Sequence, residues 1–406
     1  MNTLHEQVEP YLERCGEKKK NFSDKTAFIV DGQFYMQGSE ISVGGSTYIV
    51  DHLLGMGGLA AAWKVVEKES GKVFVLKVFT GTISDSFAAT LNSAKDASDE
   101  INDDRVQKML FFDGEKRVGL CDYVEASSID DIWRDFTLAE RAHLAILFAN
   151  EALNVWSESF GKGTIMHRDL KHENLFFDGS VLPSEHSSRF IFGDPDLMVL
   201  ASDFVPEEGC VRGTPRYMGP EVVVGKRGAQ SDVYSIGQTV HRFFVKIGLV
   251  AAKKRVFSLP VQLPKALDRH HRIDPFGRIK KSSTSRNKTY MERRKTGDHG
   301  IWPTINIAHF VTMLADERQY YMDRLEGNER QEFNDMSRLA IVSTAVAFDI
   351  LTCCTYAPVD ERYERAITYV DDRVLLLSEV SEACGLLNGV SQKIDEPYDP
   401  FAIFQC

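Results

Sequence analysis

The chain reads as an α+β protein in two lobes, a β-rich first third followed by a helical remainder. Three observations predict this. Residues 26–124 carry strand-like stretches punctuated by Gly-containing turn dipeptides. From Ile129 onward the apolar spacing is mainly helical. The length of 406 residues is large for one compact body and suits two lobes or two domains. With 43% apolar and 26% charged residues, a sizeable core can form.

Taken in order, residues 1–24 are polar and charged and read as a helical or loose leader. Residues 26–50 contain Asp31-Gly32 and Gly44-Gly45, turn dipeptides that predict two short strand pairs. Strand character continues through Tyr48–Val50, Ala62–Val66 and Val73–Phe79. A helix is expected over roughly Ser86–Asn102, then strands at Val106–Phe112 and Arg117–Val124 joined by Asp113-Gly114. The longest apolar run, about 339–357, carries Asp349 and several small polar residues. It predicts a buried helix rather than a membrane span. Residues 252–297 break the composition, with fourteen Lys or Arg against three acids, a net charge of +11. That segment reads as a long insertion or mobile loop.

The bulk numbers exclude several classes. A net charge of −11 argues against whole-surface binding to nucleic acid or acidic membranes. The seven cysteines are scattered without a Cys-x-x-Cys pair, which suits free thiols in a reducing compartment rather than a disulfide framework or zinc site. The first residues lack the apolar centre of a secretory signal. Together these predict a cytoplasmic protein without a transmembrane segment.

The chemistry concentrates in residues 165–176, which include His167-Arg168-Asp169, Lys171 and Asn174. A carboxylate, a cation and an amide oxygen recur there two, then three residues apart. Phosphoryl transfer needs those groups together: one to orient the attacking hydroxyl, one to neutralise the moving phosphate, one to hold a metal ion. Upstream, Gly55, Gly57 and Gly58 lie between two strand patterns, where backbone N–H groups can approach phosphate oxygens. Lys77 interrupts the apolar strand Val73–Phe79, a costly position for an ammonium without an anionic partner.

These segments resemble the eukaryotic-type protein kinase superfamily, in a divergent, serine/threonine kinase-like form. The resemblance is close over about 48–245 and looser over 340–380. It implies a β-rich N-lobe at 48–125 and a helical C-lobe at 126–406 that contains the basic insertion, preceded by an extension at 1–47. It implies ATP with Mg2+ as cofactors, Mn2+ being the alternative metal, and a protein substrate. Asp169 becomes the base that orients the hydroxyl, Lys171 the stabiliser of the γ-phosphoryl group, and Asn174 a metal ligand. Leu54, Gly55, Gly57, Gly58, Ala62 and Lys77 would cradle ATP, with backbone groups of Asp122 and Val124 on the base edge and Cys121 at the back of the pocket. The family's helix glutamate opposite Lys77 has two candidates, Asp96 and Glu100, and counting back from the next strand points instead to Ser93 or Ala94.

The second metal carboxylate aligns with Asp194, in Asp194-Pro195-Asp196, where the family has Asp-Phe-Gly. Pro195 and Asp196 restrict the backbone freedom of that triplet. Asp203 is the rival, in an Asp-Phe pair without a following glycine. The stretch Gly213-Thr214-Pro-Arg-Tyr-Met-Gly219-Pro220-Glu221 resembles the end of a kinase activation segment, with Gly219 where alanine is usual. Thr214 then shapes the substrate hydroxyl site, Glu221 pairs with Arg362, and Asp232 ties down the catalytic loop. Ala60 and Ala62 depart from the nucleotide-loop pattern and imply a differently shaped grip on ATP. Arg168 implies an anionic partner, either phosphate at Ser202 or Thr214, or a carboxylate of Asp203, Glu207 or Glu208.

The basic insertion invites an acidic protein, an inositol phosphate or a phosphoinositide; nucleic acid fits less well because few aromatic residues are interleaved. Two other readings stay open: a pseudokinase that serves as a binding scaffold, and a small-molecule kinase of the same superfamily. The divergent motifs suggest a bacterial or pathogen-delivered kinase, which would place it in the host cytosol if it is a secreted effector.

Overall fold

The structure is a computed structural model. It describes residues 27–79, 83–129, 138–178, 189–204, 212–223, 227–255 and short stretches between 319 and 371. The leader at 1–24, the basic segment beyond Arg255, Glu207, Glu208 and most of the apolar run at 339–357 lie outside the described residues. The chain divides into two compact units, Met1–Glu100 with Gln107–Val124, and Ile101–Val106 with Glu125–Cys406. It is an α+β protein, one unit sheet-rich and the other mainly helical.

The first unit opens with two hairpins. Strands β1 (Ala27–Val30) and β2 (Gln33–Met36) pair around Asp31-Gly32, and β3 (Glu40–Val43) and β4 (Ser46–Met56) pair around Gly44-Gly45. All four turn residues have positive φ, the conformation that lets a two-residue turn follow the strand twist. Strands β5 (Ala60–Glu67), β6 (Val73–Phe79), β7 (Met109–Asp113) and β8 (Val118–Asp122) complete an antiparallel sheet of order β3-β4-β5-β6-β8-β7. Alternation sends Trp63, Val65, Leu76, Val118 and Leu120 to one face, where they form a core with Ile41, Val43 and Val50. Phe28 joins it with its ring centroid 4.8 Å from that of Trp63, so the first hairpin is packed onto this unit.

Helix α1 (Asp85–Glu100) starts where the sequence places it. Ser84 caps it by accepting from the Phe87 N–H at 3.3 Å, and Asp85 in the first turn suits the positive end of the helix. It buries Phe87, Thr90, Leu91, Ala94, Ala97 and Ser98. The strand expected from Val106 begins later, at Met109. Asp103 accepts from the Arg105 N–H at 2.9 Å and bends the chain, and Val106 then bridges to Phe192 in the second unit.

The second unit is built on α2 (Leu138–Glu158) and α4 (Gln230–Arg255), with the four-residue α3 (Pro220–Val223) and α5 (Arg362–Asp371). Strands β11 (Leu175–Asp178) and β12 (Arg189–Phe192) form a hairpin extended by β9 (Ser127–Ser128); β10 (Ile165–Met166) pairs with β13 (Val199–Leu200). Phe148 of α2 meets Phe190, Phe192 and Phe243 at centroid distances of 5.4, 6.2 and 5.6 Å. That aromatic core fixes the hairpin, and hence the loop that precedes it, against both long helices.

Candidate active site

In the first unit, the β4–β5 hairpin turns through Gly57, Gly58, Leu59 and Ala60, closed by the Gly57 N–H donating to the Ala60 carbonyl at 2.8 Å. At Gly55 and Gly58 an added Cβ would meet nothing within 4 Å, and at Gly57 only ordinary contact; none of the three has positive φ. Neither packing nor backbone conformation demands glycine there. What the three share is unobstructed backbone, the property a phosphate-binding loop uses. Leu54 and Leu59 project from the same hairpin as exposed apolar side chains.

Lys77 sits on β6 and is only 7% exposed. Register places it between Ala62 on one side and Gly119 on the other, with Val75 and Cys121 one step along the same face. The lysine therefore occupies a row of small residues, opposite to the face that forms the core. Asp96 and Glu100 both lie on the exposed side of α1, whose buried face carries Thr90 and Ser98 as its polar residues. At the strand end, the Asp122 N–H donates to the Lys108 carbonyl at 3.1 Å, and Gln107 Nε2 donates to the Asp122 carbonyl at 2.7 Å. Asp122 thus has one carbonyl lone pair left for a base edge, and its N–H is taken.

In the second unit, the loop after β10 is anchored from below. Asp232, 2% exposed near the start of α4, accepts from the backbone N–H groups of His167 and Arg168 at 2.7 and 2.9 Å. Arg168 adopts φ +71°, a strained value for a residue with a side chain, and this anchoring over-determines it. Its guanidinium lies over the Phe204 ring, 4.9 Å from the centroid. The His167 ring is fully buried with no hydrogen-bond partner for either nitrogen among the described residues, and burial pulls its pKa below the ordinary value.

Past that anchor, three side chains converge. Thr214 Oγ1 donates to Asp169 Oδ1 at 2.7 Å, Lys171 Nζ donates to Asp169 Oδ2 at 2.5 Å, and Nζ lies 3.2 Å from Thr214 Oγ1. Burial alone would lower the Lys171 pKa; the carboxylates of Asp169, Asp194 and Glu173 outweigh it and hold it above the ordinary value. Those carboxylates therefore favour the ammonium form. Asn174, at the end of a 3-10 turn (His172–Asn174), donates through Nδ2 to the Asp169 backbone carbonyl at 3.0 Å. With its nitrogen so committed, its Oδ1 is the atom left to meet a cation.

Asp194 stands next to Asn174 across the β11–β12 hairpin, because the Gly193 N–H donates to the Asn174 carbonyl at 2.8 Å. It adopts φ +64°, and Pro195 then opens a 3-10 turn in which its fixed φ is already suited. Asp203 is exposed in the turn after β13, with the Ser202 hydroxyl donating to it at 2.9 Å. Asn174 and Asp194 supply hard oxygen donors, and among the described residues no cluster of three or more His, Cys, Asp or Glu could hold a metal. Two protein oxygens suit a small divalent cation that takes its remaining ligands from phosphate and water. The residues present fit that group.

Around the cluster, the Tyr217 hydroxyl donates to Glu173 Oε2 at 3.1 Å, and burial with that carboxylate raises its pKa. Arg362 and Glu221, 141 residues apart, form a bidentate pair at 2.7 and 3.2 Å with both side chains buried. Asp169, Lys171 and Thr214 thus meet directly, with Asn174 bonded to the Asp169 backbone and Asp232 to the backbone just before it. Two residues escaped the sequence reading: Gln107, and Arg227, whose guanidinium bonds the carbonyls of Arg168 and Arg212. A loop arginine between lysine and glycine carries no signal that separates it from a solvated charge.

A family model described as protein kinase domain matches residues 48–259, more than half of the chain. The serine/threonine-protein kinase pkn3 of Myxococcus xanthus is 28% identical over 209 residues, 48% of this chain and 37% of that protein. A probable serine/threonine-protein kinase of Dictyostelium discoideum is 27% identical over 201 residues, 48% of this chain and 42% of that protein. The serine/threonine-protein kinase SRK2F of Arabidopsis thaliana is 41% identical over 83 residues, 20% of this chain and 22% of that protein. The chain spans less than half the length of each. With the Asp169–Lys171–Thr214 cluster, the Asn174–Asp194 pair and the lysine-bearing strand in place, the match has one meaning: the chain belongs to the protein kinase superfamily.

Proposed function

We propose that the chain is a serine/threonine protein kinase that transfers the γ-phosphoryl group of ATP to hydroxyls of a protein substrate. The observation that carries this is the hydrogen-bonded cluster of Asp169, Lys171 and Thr214. Asp169 can accept a hydrogen bond from an incoming hydroxyl and orient its oxygen for attack. Lys171 places a fixed positive charge beside that oxygen, where charge moves during transfer. Thr214 holds the second carboxylate oxygen and so selects which one faces the substrate. Asn174 and Asp194 would hold Mg2+ or Mn2+, which supplies charge neutralisation on the phosphates. Lys77, buried among small residues of the sheet, would pair with the α- and β-phosphates, and the open backbone of Gly55, Gly57 and Gly58 would approach them.

On this reading residues 48–125 form the nucleotide lobe and 126–406 the substrate lobe, with 1–47 an N-terminal extension. The basic segment at 252–297 is a candidate docking region for an acidic protein or an inositol phosphate headgroup. The lysine two residues beyond Asp169 favours serine and threonine as acceptors. Radiolabelled ATP with a generic protein substrate tests the reading. Wild type should yield phosphoserine or phosphothreonine, and Asp169→Ala should lose roughly 10²–10⁴-fold of the rate. Equal labelling by the variant, or phosphotyrosine alone, would contradict it.

A further inference from the structure

Arg227 stands in the connection between α3 and α4, five residues before Asp232. Its Nη2 donates to the Arg168 carbonyl at 3.0 Å and its Nη1 to the Arg212 carbonyl at 3.0 Å. The first carbonyl belongs to the peptide that leads into Asp169. The second leads into Gly213, one residue before Thr214. One guanidinium therefore spans two backbone strands whose side chains, Asp169 and Thr214, share a hydrogen bond.

The two strands touch at this point. A Cβ on Gly213 would fall 2.6 Å from the Arg168 carbonyl oxygen and 3.5 Å from Arg227 Nη2. Both backbones are in the left-handed region, Arg168 at φ +71° and Gly213 at φ +110°. Carbonyls brought so close need a donor between them, and the planar fork of arginine offers two parallel N–H groups. Asp232 already holds the N–H of Arg168, so Arg227 completes the grip by taking its C=O. Burial pulls the Arg227 pKa below its ordinary value, and the carboxylates of Asp232, Asp169 and Glu221 offset part of that cost.

We propose that Arg227 is a positioning residue for phosphoryl transfer, clamping the loop that carries Asp169 to the segment that carries Thr214. The inference rests on the reading of Asp169 and Thr214 as the hydroxyl-orienting pair. Without the clamp, the two strands keep their fold but lose the alignment of the Asp169 carboxylate.

The test uses the full chain as wild type, Arg227→Met and Arg227→Lys. Phosphorylation of dephosphorylated casein and hydrogen–deuterium exchange are measured in parallel. In Arg227→Met, kcat should fall by roughly 10–100-fold with the KM for ATP changed less than about twofold. Amide exchange should quicken in residues 165–176 and 212–218 and stay unchanged in α2. Arg227→Lys, which keeps a donor but not the fork, should lie between the two. An unchanged kcat, unchanged exchange in both segments, a lysine variant no better than methionine, or exchange raised equally in α2 would each overturn the proposal. A wild type without phosphotransfer would sink the kinase reading instead, and the exchange data would still decide whether Arg227 clamps the two segments.

Discussion

Asp169 is held at three atoms. Its Oδ1 accepts from Thr214, its Oδ2 from Lys171, and its backbone carbonyl from Asn174. Such a carboxylate has one orientation, which is what a group that must aim a hydroxyl requires. The arrangement depends on Gly213, because any side chain there meets the Arg168 carbonyl and must adopt φ +110°. Gly213→Ala should therefore lose about 1–3 kcal/mol of stability through backbone strain, plus most of its phosphotransfer. Chemical denaturation beside a kinase assay reads both, and a variant with wild-type values would show that the two strands need not touch. The spacing of Asp169, Lys171 and Asn174 was legible in the sequence because, on the proposed reading, phosphoryl transfer would dictate residue type at those positions. Arg227 was not, because its work is done through two backbone carbonyls that only tertiary proximity brings together.

At the scale of elements, a buried long-range ion pair ties α3 to α5 in the second unit. Glu221 on α3 and Arg362 at the start of α5 are buried, and Arg362 also lies 5.0 Å from the centroid of the Tyr234 ring. Removing either partner leaves the other charge uncompensated, at a cost of about 3–5 kcal/mol. Glu221→Leu and Arg362→Met should each lower stability on that order, while the Glu221→Leu/Arg362→Met double variant should cost less than the sum. Near-additive losses in a double-mutant cycle would show that the two side chains act separately. Gly219 belongs to the same arrangement, since an added Cβ would meet the Glu221 carboxylate at 2.3 Å. Glycine in place of the family's alanine leaves room for the carboxylate of that pair. The elements themselves were largely readable: α1, the turns at Asp31-Gly32 and Gly44-Gly45, and the strand bearing Lys77 follow their sequence patterns. Val106 was misplaced, because an Asp103-induced bend turns an apolar residue with strand propensity toward Phe192.

For the whole molecule, the proposed reading predicts stabilisation by nucleotide. Ligand at about a hundred times its Kd should stabilise the chain by about 2.7 kcal/mol. Thermal unfolding with ATP and Mg2+ should show that rise, and Lys77→Met or chelation with EDTA should each remove most of it. A Lys77→Met protein that shifts as far as wild type would take the lysine out of nucleotide binding. Charge is divided unevenly along the chain, +11 in residues 252–297 against −11 overall. No helix among the described residues is long and apolar enough to cross a membrane.

What the sequence by itself determined is the inventory: a glycine loop, a lysine in an apolar strand and an Asp-Lys-Asn loop. Local chemistry restricts those positions so strongly that residue type and spacing identify them. Tertiary structure alone decided which partners meet. It left Asp96 and Glu100 on the exposed side of α1 and brought Arg227 between two carbonyls. Those outcomes depend on register, burial and backbone proximity between distant segments, and no local pattern encodes them.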